Sequence, residues 1–374
     1  MTRAADAAPA VGTPPDLAEG LRRALAYHWH PVCRVDDLPG PVPVRLLGRD
    51  LVVARLGGDR QAGDDAGGPL LVADDRCPHR SVRLSIGTVE GGCLRCAYHG
   101  WAYDQGGRCV DIPSMPGGPI PDRARTPAYE AEVRYGLVWV RLDPAAGTAI
   151  PACPAFDDPA MKVLAGEPYT WPVSALRRVE NFVDLAHFAF VHDGTLGRRD
   201  EPVPPIPEVT RVGANGVTNG AELAFNYDPP AYPDDMAATA MLASSSYRMP
   251  MPCTVDIEFA YPDGRRRQLW MTASPVDDAT CRSFFYVCRT DDLAGDDRDH
   301  LAFQAVVTAE DEPVVSAHVP AALPLEAGAE LSVRTDKVSI EYRRWLRELA
   351  LGALSGPSAY AEALGVTQRR EHSA

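Results

Sequence analysis

Lysine is almost missing from this chain. Lys162 and Lys337 are the only two among 374 residues, so arginine carries nearly all the positive charge. That bias points to a bacterium of high genomic GC content. Bases are also outnumbered by acids, and the formal charge of −14 argues against a nucleic-acid partner. No run approaches eighteen consecutive apolar residues, so no membrane span is expected. Met1 to Pro15 is rich in Ala and Pro but has no apolar core of the signal-peptide kind. It reads as a disordered lead-in, and a cytoplasmic location is expected. No Gly-rich fingerprint follows a strand, which removes a nicotinamide or flavin site. There is no internal repeat and no plant-type four-Cys ferredoxin spacing. What remains is ordinary for a globular protein, 45% hydrophobic and 24% charged, and long enough for two domains.

Cysteine is present, and its placement is informative. Nine cysteines in a chain without an export signal argue for reduced thiols and metal ligation, with no disulfide framework. Cys77-Pro78-His79 and Cys96-Ala97-Tyr98-His99 each supply one thiolate and one imidazole. A Rieske-type [2Fe–2S] cluster needs two thiolates on one iron and two imidazoles on the other. Cys93 opens an alternative, because Cys93-Leu94-Arg95-Cys96 is also a C-x-x-C. A structural zinc ion held by Cys77, Cys93, Cys96 and one of the histidines is the competing reading. Against it stand the C-x-H half-site, the Gly100 that follows His99, and the aromatic run through Trp101 and Tyr103. Arg76, Arg80, Arg83 and Arg95 make this stretch locally basic on an acidic protein, a surface to which an acidic redox partner could be steered.

A second constellation lies at Glu180 to His192. Asn181, Asp184, His187 and His192 sit among Phe182, Val183, Leu185, Phe188, Phe190 and Val191. Burying that many polar groups is costly unless they pair or bind a metal. Two histidines and a carboxylate on three facial positions suit mononuclear iron(II), with the opposite positions open. His187 and His192 are five residues apart, about 140° around an ideal helix. Both can reach one metal only if the helix breaks near them. The bland alternative is a pair of ordinary core histidines on an amphipathic helix.

The coarse pattern is β-rich at first. Strands are expected at Val32–Val35, Val42–Leu47, Leu51–Arg55 and Leu70–Ala73, and a buried one over Tyr135–Leu142. The Pro/Ala/Asp-rich stretch from Asp143 to Pro159 reads as a linker. Later strands are expected at Val255–Tyr261, Gln268–Ala273 and Arg282–Arg289. Gly194 to Pro233 reads as a mobile connection. Val338, Tyr342, Trp345, Leu346 and Leu349 recur at helical spacing and would bury one helix face. His28 and His30 flank Trp29, with a surface or packing role as the default.

The run Cys-Pro-His-Arg, then Leu84-Ser85-x-Gly87, then Cys-x-Tyr-His-Gly-Trp-x-Tyr-Asp resembles the Rieske domain of ring-hydroxylating and demethylating Rieske oxygenases. The respiratory Rieske protein carries an additional Cys in each box. Here Val82 stands three residues after His79, and Cys93 is expected to be a free, partly buried thiol. The second segment resembles the N-x-x-D-x-x-H-x-x-x-x-H motif of the same family's catalytic domain, with every named position filled. The resemblance covers roughly residues 26 to 350 and is closest to the α-only trimeric group of vanillate and dicamba demethylases and steroid hydroxylases.

The resemblance implies an α+β chain: a disordered lead-in (1–25), an all-β Rieske [2Fe–2S] domain (26–150), a helix-grip-like mononuclear iron domain whose antiparallel sheet is flanked by helices (151–365), and a tail (366–374). It implies that Cys77, His79, Cys96 and His99 hold the cluster, and that His187, His192 and a downstream acid hold iron. The setting Glu310-Asp311-Glu312-Pro313-Val314-Val315 points to Asp311, with Glu310 and Glu312 as local competitors. Asp184 would bridge His187 to His99 of a neighbouring chain in a homotrimer, and Asn181 would lie near the iron. The implied activity is that of a terminal oxygenase. It would be fed from NAD(P)H through a reductase, with or without a ferredoxin, and perform hydroxylation or oxidative O- or N-demethylation of a small organic substrate in secondary metabolism or aromatic catabolism. Arene cis-dihydroxylation and a Rieske electron carrier without oxygenase activity are the alternatives.

Overall fold

The computed structural model describes residues 16–57, 68–212, 222–227, 244–250 and 252–364. The first half is helix α1 (Leu17–Ala26) and ten strands: β1 (His30–Arg34), β2 (Val42–Leu46), β3 (Arg49–Arg55), β4 (Leu70–Asp74), β5 (Thr88–Glu90), β6 (Cys93–Arg95), β7 (Ala102–Tyr103), β8 (Cys109–Asp111), β9 (Glu130–Arg134) and β10 (Leu137–Arg141). They form three small antiparallel sheets, β1–β10–β9, β2–β3–β4 and β5–β6–β7–β8. The second half runs β11 (Lys162–Ala165), β12 (Tyr169–Trp171), α2 (Ala175–Val183), α3 (Phe188–Val191), β13 (Thr210–Val212), β14 (Glu222–Tyr227), β15 (Ser244–Pro250), β16 (Thr254–Ala260), β17 (Arg266–Asp277), β18 (Thr280–Arg289), α4 (Asp297–Val315), α5 (Lys337–Ser355) and α6 (Pro357–Ala363). Its strands make one antiparallel sheet in the order β11–β18–β17–β16–β15–β14–β13, with β12 also on β18. The helices pack on one face of that sheet, around Trp171, Val179, Met271, Tyr342 and Trp345. The α+β reading holds, and α5 buries the residues its spacing marks out.

Three tight hairpins shape the β half. Leu47-Gly48, Gly91-Gly92 and Tyr135-Gly136 all carry positive φ at both positions, the conformation that matches strand twist in a two-residue turn. Residues 135 and 136, expected within a strand, are thus a turn. Two of these turns touch the other domain. The N–H groups of Leu47 and Gly48 donate to Pro275 O and Val276 O, each at 2.8 Å, and Tyr135 O accepts from the Tyr286 hydroxyl. The non-glycine residues at positive φ in these two turns are therefore held by interdomain bonds, which offset their backbone strain.

Three further sequence expectations are corrected. The lead-in expected to be disordered to residue 25 is helical from Leu17, and Asp16 caps it by accepting from Glu19 N at 3.0 Å. The Ala/Pro composition outweighed that cap signal. Gly20 lets α1 lie directly on α5, since a Cβ there would sit 2.5 Å from Ala350 O. Gly20→Ala is expected to destabilise the protein by roughly 1–3 kcal/mol in thermal unfolding, as overpacking does. The connection expected over 194–233 contributes β13 and β14 to the main sheet. The stretch expected as a linker, 143–159, is packed: Ile150, Cys153 and Ala155 are buried with Trp139, Trp270 and Tyr286 in a core shared by both halves, and Trp270 Nε1 donates to Ala152 O at 3.0 Å. Residues 1–15 and the expected tail, 366–374, lie outside the described residues.

Candidate metal centres

The two Cys/His boxes are loops of the same construction. Cys77 N donates to Val82 O and Cys96 N to Trp101 O; Ser81 N donates back to Cys77 O and Gly100 N to Cys96 O, all at 2.8–2.9 Å. Each loop closes through a residue of positive φ, Ser81 at 60° and Gly100 at 70°. Glycine suits that position in the second box because it carries no Cβ penalty. The loops bring His79 and His99 to 4.5 Å between ring centroids, and Trp101 stacks flat on His79. Cys77 and Cys96 are buried beneath them, whereas His99 is exposed.

The donor set fits a two-iron cluster. His79 Nδ1 is buried with no hydrogen-bond partner, a costly state unless the nitrogen binds something. Partial desolvation, His99 and Arg80 all favour neutral His79, the form that ligates. Burial and the neighbouring Cys77 push the Cys96 thiol up, because the two sulfurs lie close together. Tyr103, read from sequence only as part of an aromatic run, places its hydroxyl 3.0 Å from Cys77 Sγ. Burial and that sulfur keep it protonated far above its usual range, so it has a proton to donate to a thiolate at Cys77. A single zinc ion fits poorly. Its ligand atoms must lie about 4 Å apart, given Zn–S bonds of about 2.3 Å. Among the described residues, one group of three or more His, Cys, Asp or Glu has all its donor atoms within 4.8 Å of one another, and the boxes are not in it. Cys93 is a free, partly buried thiol.

That one group is His187, His192 and Asp311. The chain assembles it by breaking a helix where the ligand geometry demands a break. Ser174 caps the start of α2, and the helix stops at Asp184, which turns extended. Asp184 Oδ1 then accepts from Ala186 N at 2.8 Å, an Asx-turn that redirects the backbone. His187 lies at the start of α3 and His192 just past its end, so the two rings converge at 5.0 Å. Asp184 and His187, three residues apart, are brought together by this turn and not by a continuous helix.

Asp311 comes from α4. Its Oδ1 lies 3.5 Å from His187 Nε2 and 3.2 Å from His192 Nε2. Both histidines thus turn Nε2 toward one carboxylate oxygen. Their Nδ1 atoms face other acids: His187 Nδ1 is 3.5 Å from Asp184 Oδ2, and His192 Nδ1 is 2.7 Å from Glu310 Oε2. Glu310 also accepts from Thr195 Oγ1 at 2.7 Å. Glu310, a local competitor of Asp311 in the setting the resemblance implies, lies behind His192, a carboxylate–histidine arrangement that fixes the tautomer and raises basicity. The electrostatics suit a cation. Burial opposes charge on His187, yet Asp184 and Asp311 outweigh it and raise its pKa to about 9. Burial also opposes charge on Asp311, but His187, His192 and Arg178 hold its carboxyl well below the usual range. Asn181 Nδ2 donates to Asp311 Oδ1 at 3.1 Å.

These three side chains are among those lining a cavity of about 480 Å³. Its walls include Phe182, Tyr247, Ile257, Phe259 and Phe303, with Gln304 and Ser245 among the polar groups. A largely apolar pocket with a few polar groups is the usual form of a small-molecule site.

Residues 28–130 match the Rieske [2Fe-2S] domain, and residues 171–352 the vanillate O-demethylase oxygenase C-terminal domain. The chain is 40% identical over 356 residues to the methylxanthine N1-demethylase NdmA of Pseudomonas putida, across 92% of this chain and 94% of that one. It is 39% identical over 353 residues to the N3-demethylase NdmB of the same organism, covering 91% and 94%. The solved structure of Pseudomonas putida NdmA with caffeine superposes with a TM-score of 0.82 at 38% identity, over 92% and 96% of the two chains. Dicamba monooxygenase, at 22% identity, shares the fold with a TM-score of 0.70 over 88% and 99%. The chain belongs to the Rieske non-haem iron oxygenases, as an oxygenase (alpha) component. It is accordingly an oxidoreductase that uses O2.

Proposed function

We propose that this protein is the terminal oxygenase of a multicomponent system that removes an N-methyl group from a small planar heterocycle by monooxygenation. One observation carries the reading: His187, His192 and Asp311 converge on the wall of a cavity of about 480 Å³ that is otherwise largely apolar and aromatic, in a chain about two-fifths identical to two N-demethylases. Cys77, His79, Cys96 and His99 hold the [2Fe–2S] cluster, and His187, His192 and Asp311 hold a mononuclear iron. That iron, when bound, supplies O2 activation. The chain's own residues do the rest. Glu310 and Asp184 orient the two imidazoles, Asn181 steadies Asp311, and the apolar wall holds the substrate and keeps water out.

Electrons come from NAD(P)H through a separate reductase, with or without a ferredoxin. Arg76, Arg80 and Arg83 are exposed beside the boxes, whereas Arg95 is occupied by Glu90 and Asp111 at 3.4 and 2.9 Å. An acidic partner would therefore be steered by the first three. His99 is exposed on one domain and Asp184 part-exposed on the other. A head-to-tail ring of three copies joins such surfaces, with His99 meeting Asp184 of the next chain.

The net reaction consumes the N-methyl substrate, O2, two electrons and two protons. It yields the demethylated N–H product, formaldehyde and water. The test supplies the purified oxygenase with a surrogate reductase, NAD(P)H and a panel of methylxanthines and O-methyl arenes. Formaldehyde in step with loss of an N-methyl group is the expected result. A cis-diol, a hydroxylated product that keeps every carbon, or formaldehyde from O-methyl arenes alone would overturn it. Iron per chain separates an oxygenase from a bare electron carrier. Three irons are expected, falling to two in His192→Ala with the reduced-cluster EPR signal unchanged. A wild-type value of two would sink the mononuclear site.

A further inference from the structure

Arg178 is out of place for an arginine. It is 1% exposed, and a buried guanidinium is costly unless it is well paired. Its close partners are nevertheless neutral. Nε and Nη2 donate to the Tyr169 hydroxyl at 3.0 and 2.8 Å, and Nη1 donates to Asn181 Oδ1 at 2.6 Å. The rings of Trp171 and Phe182 lie against its guanidinium carbon at 4.7 and 4.8 Å, which provides cation–π stabilisation. The nearest acid is Asp311, whose Oδ2 is 4.0 Å from Nη1. A cation is thus held by aromatic faces beside the candidate iron-binding carboxylate without a close ion pair.

We infer that Arg178 is a positioning residue that sets the orientation of Asn181 and, through it, of Asp311. The argument is one of hydrogen-bond supply. A guanidinium has donors only, so the Asn181 amide must turn its oxygen to Arg178. Its NH2 is thereby forced toward Asp311, where Nδ2 lies 3.1 Å from Oδ1. That oxygen is the one both Nε2 atoms face. Without Arg178 the amide can flip and present its carbonyl to the carboxylate, two acceptors in contact, which drives Asp311 off its position. Arg178 also places a positive charge beside Oδ2, which leaves Oδ1 as the more available donor to a metal.

The inference rests on the proposed iron site, and its test separates the two. Wild-type protein, Arg178→Met, Arg178→Lys, Asn181→Leu and the Arg178→Met/Asn181→Leu double variant are loaded with ferrous iron. Each is read by iron affinity and by EPR of the nitric oxide adduct, with the cluster signal as the internal check of fold. Wild type that takes up no ferrous iron beyond its cluster defeats the iron site itself. If the relay operates, Arg178→Met lowers affinity about 10-fold and splits the adduct signal into more than one species. Arg178→Lys, a smaller change that keeps charge and donor, restores a single species. The double variant is then no worse than either single change, because residues in one relay are not additive. An unchanged signal and affinity in Arg178→Met overturns the inference. So do additive losses in the double variant. If Arg178→Met does not fold, Arg178→Lys against Asn181→Leu decides: heterogeneity in Asn181→Leu with one species in Arg178→Lys supports the relay, and any other pattern overturns it.

Discussion

Asp184→Asn protein is expected to keep both metal sites filled and to lose turnover by about 100-fold, the upper end for removing a carboxylate behind a ligating histidine. The substitution is mild for the fold. Asp184 Oδ1 accepts from Ala186 N at 2.8 Å, and an asparagine oxygen does the same, so the turn that breaks the helix survives. What goes is the negative charge, 3.5 Å from His187 Nδ1 through Oδ2. The Asp184 side chain is 35% exposed, unlike the buried Asp311, and so is open to a neighbouring molecule as well as to His187. A group that links an imidazole inside to one outside needs that half-open position. The measurement is single turnover: reduce the cluster, add substrate and O2, and follow the return of its visible absorption. In Asp184→Asn the cluster is expected to stay reduced while iron per chain remains at the wild-type value. Normal reoxidation would remove Asp184 from the electron path, and lost iron would make it a structural residue only.

The sequence was most legible where chemistry is encoded by local spacing. The C-x-H and C-x-x-H boxes lie within some two dozen residues of each other, and the helix break that His187 and His192 call for can be read within a dozen. Asp311 is legible only through a family setting, since nothing local ties it to residues more than a hundred positions earlier. The supporting shell was not legible. Glu310 and Glu312 flank Asp311 alike in sequence, and only the roll of α4 sends Glu310 to His192 Nδ1 at 2.7 Å. Arg178 stands three residues before Asn181, a helical neighbour spacing, but the aromatic cage that permits its burial comes partly from β12. The α1 helix is hidden in the sequence because an Ala- and Pro-rich composition resembles disorder even where Asp16 supplies a cap. The histidines on either side of Trp29 are hidden too, since His30 faces α1 itself and His28 faces a helix more than three hundred residues away.

Those two histidines carry the other large effect, an acid weakness unrelated to either metal site. His30 Nε2 is bonded to Leu25 O at 2.8 Å, and His28 to the hydroxyl of Tyr360 on α6, so together they pin α1, β1 and α6. Both are buried. Burial, His30 and Arg141 lower the pKa of His28 to about 3. Burial lowers His30 to about 4 despite the opposing bond to Leu25. The native state therefore keeps both neutral at pH values where the unfolded chain, with histidines near 6.5, already binds two protons. When the unfolded state binds more protons, stability falls as pH falls. The loss begins near pH 6.5 and continues toward pH 3–4. At pH 5 it amounts to roughly 2 kcal/mol per histidine, from about 1.4 kcal/mol per pH unit. His30→Gln keeps an amide donor for Leu25 O without a group that titrates. It is expected to flatten the slope of unfolding free energy between pH 7 and 5 by about one proton's worth, measured by urea titration at each pH. An unchanged slope would show that His30 protonates as readily in the folded protein as in the unfolded chain.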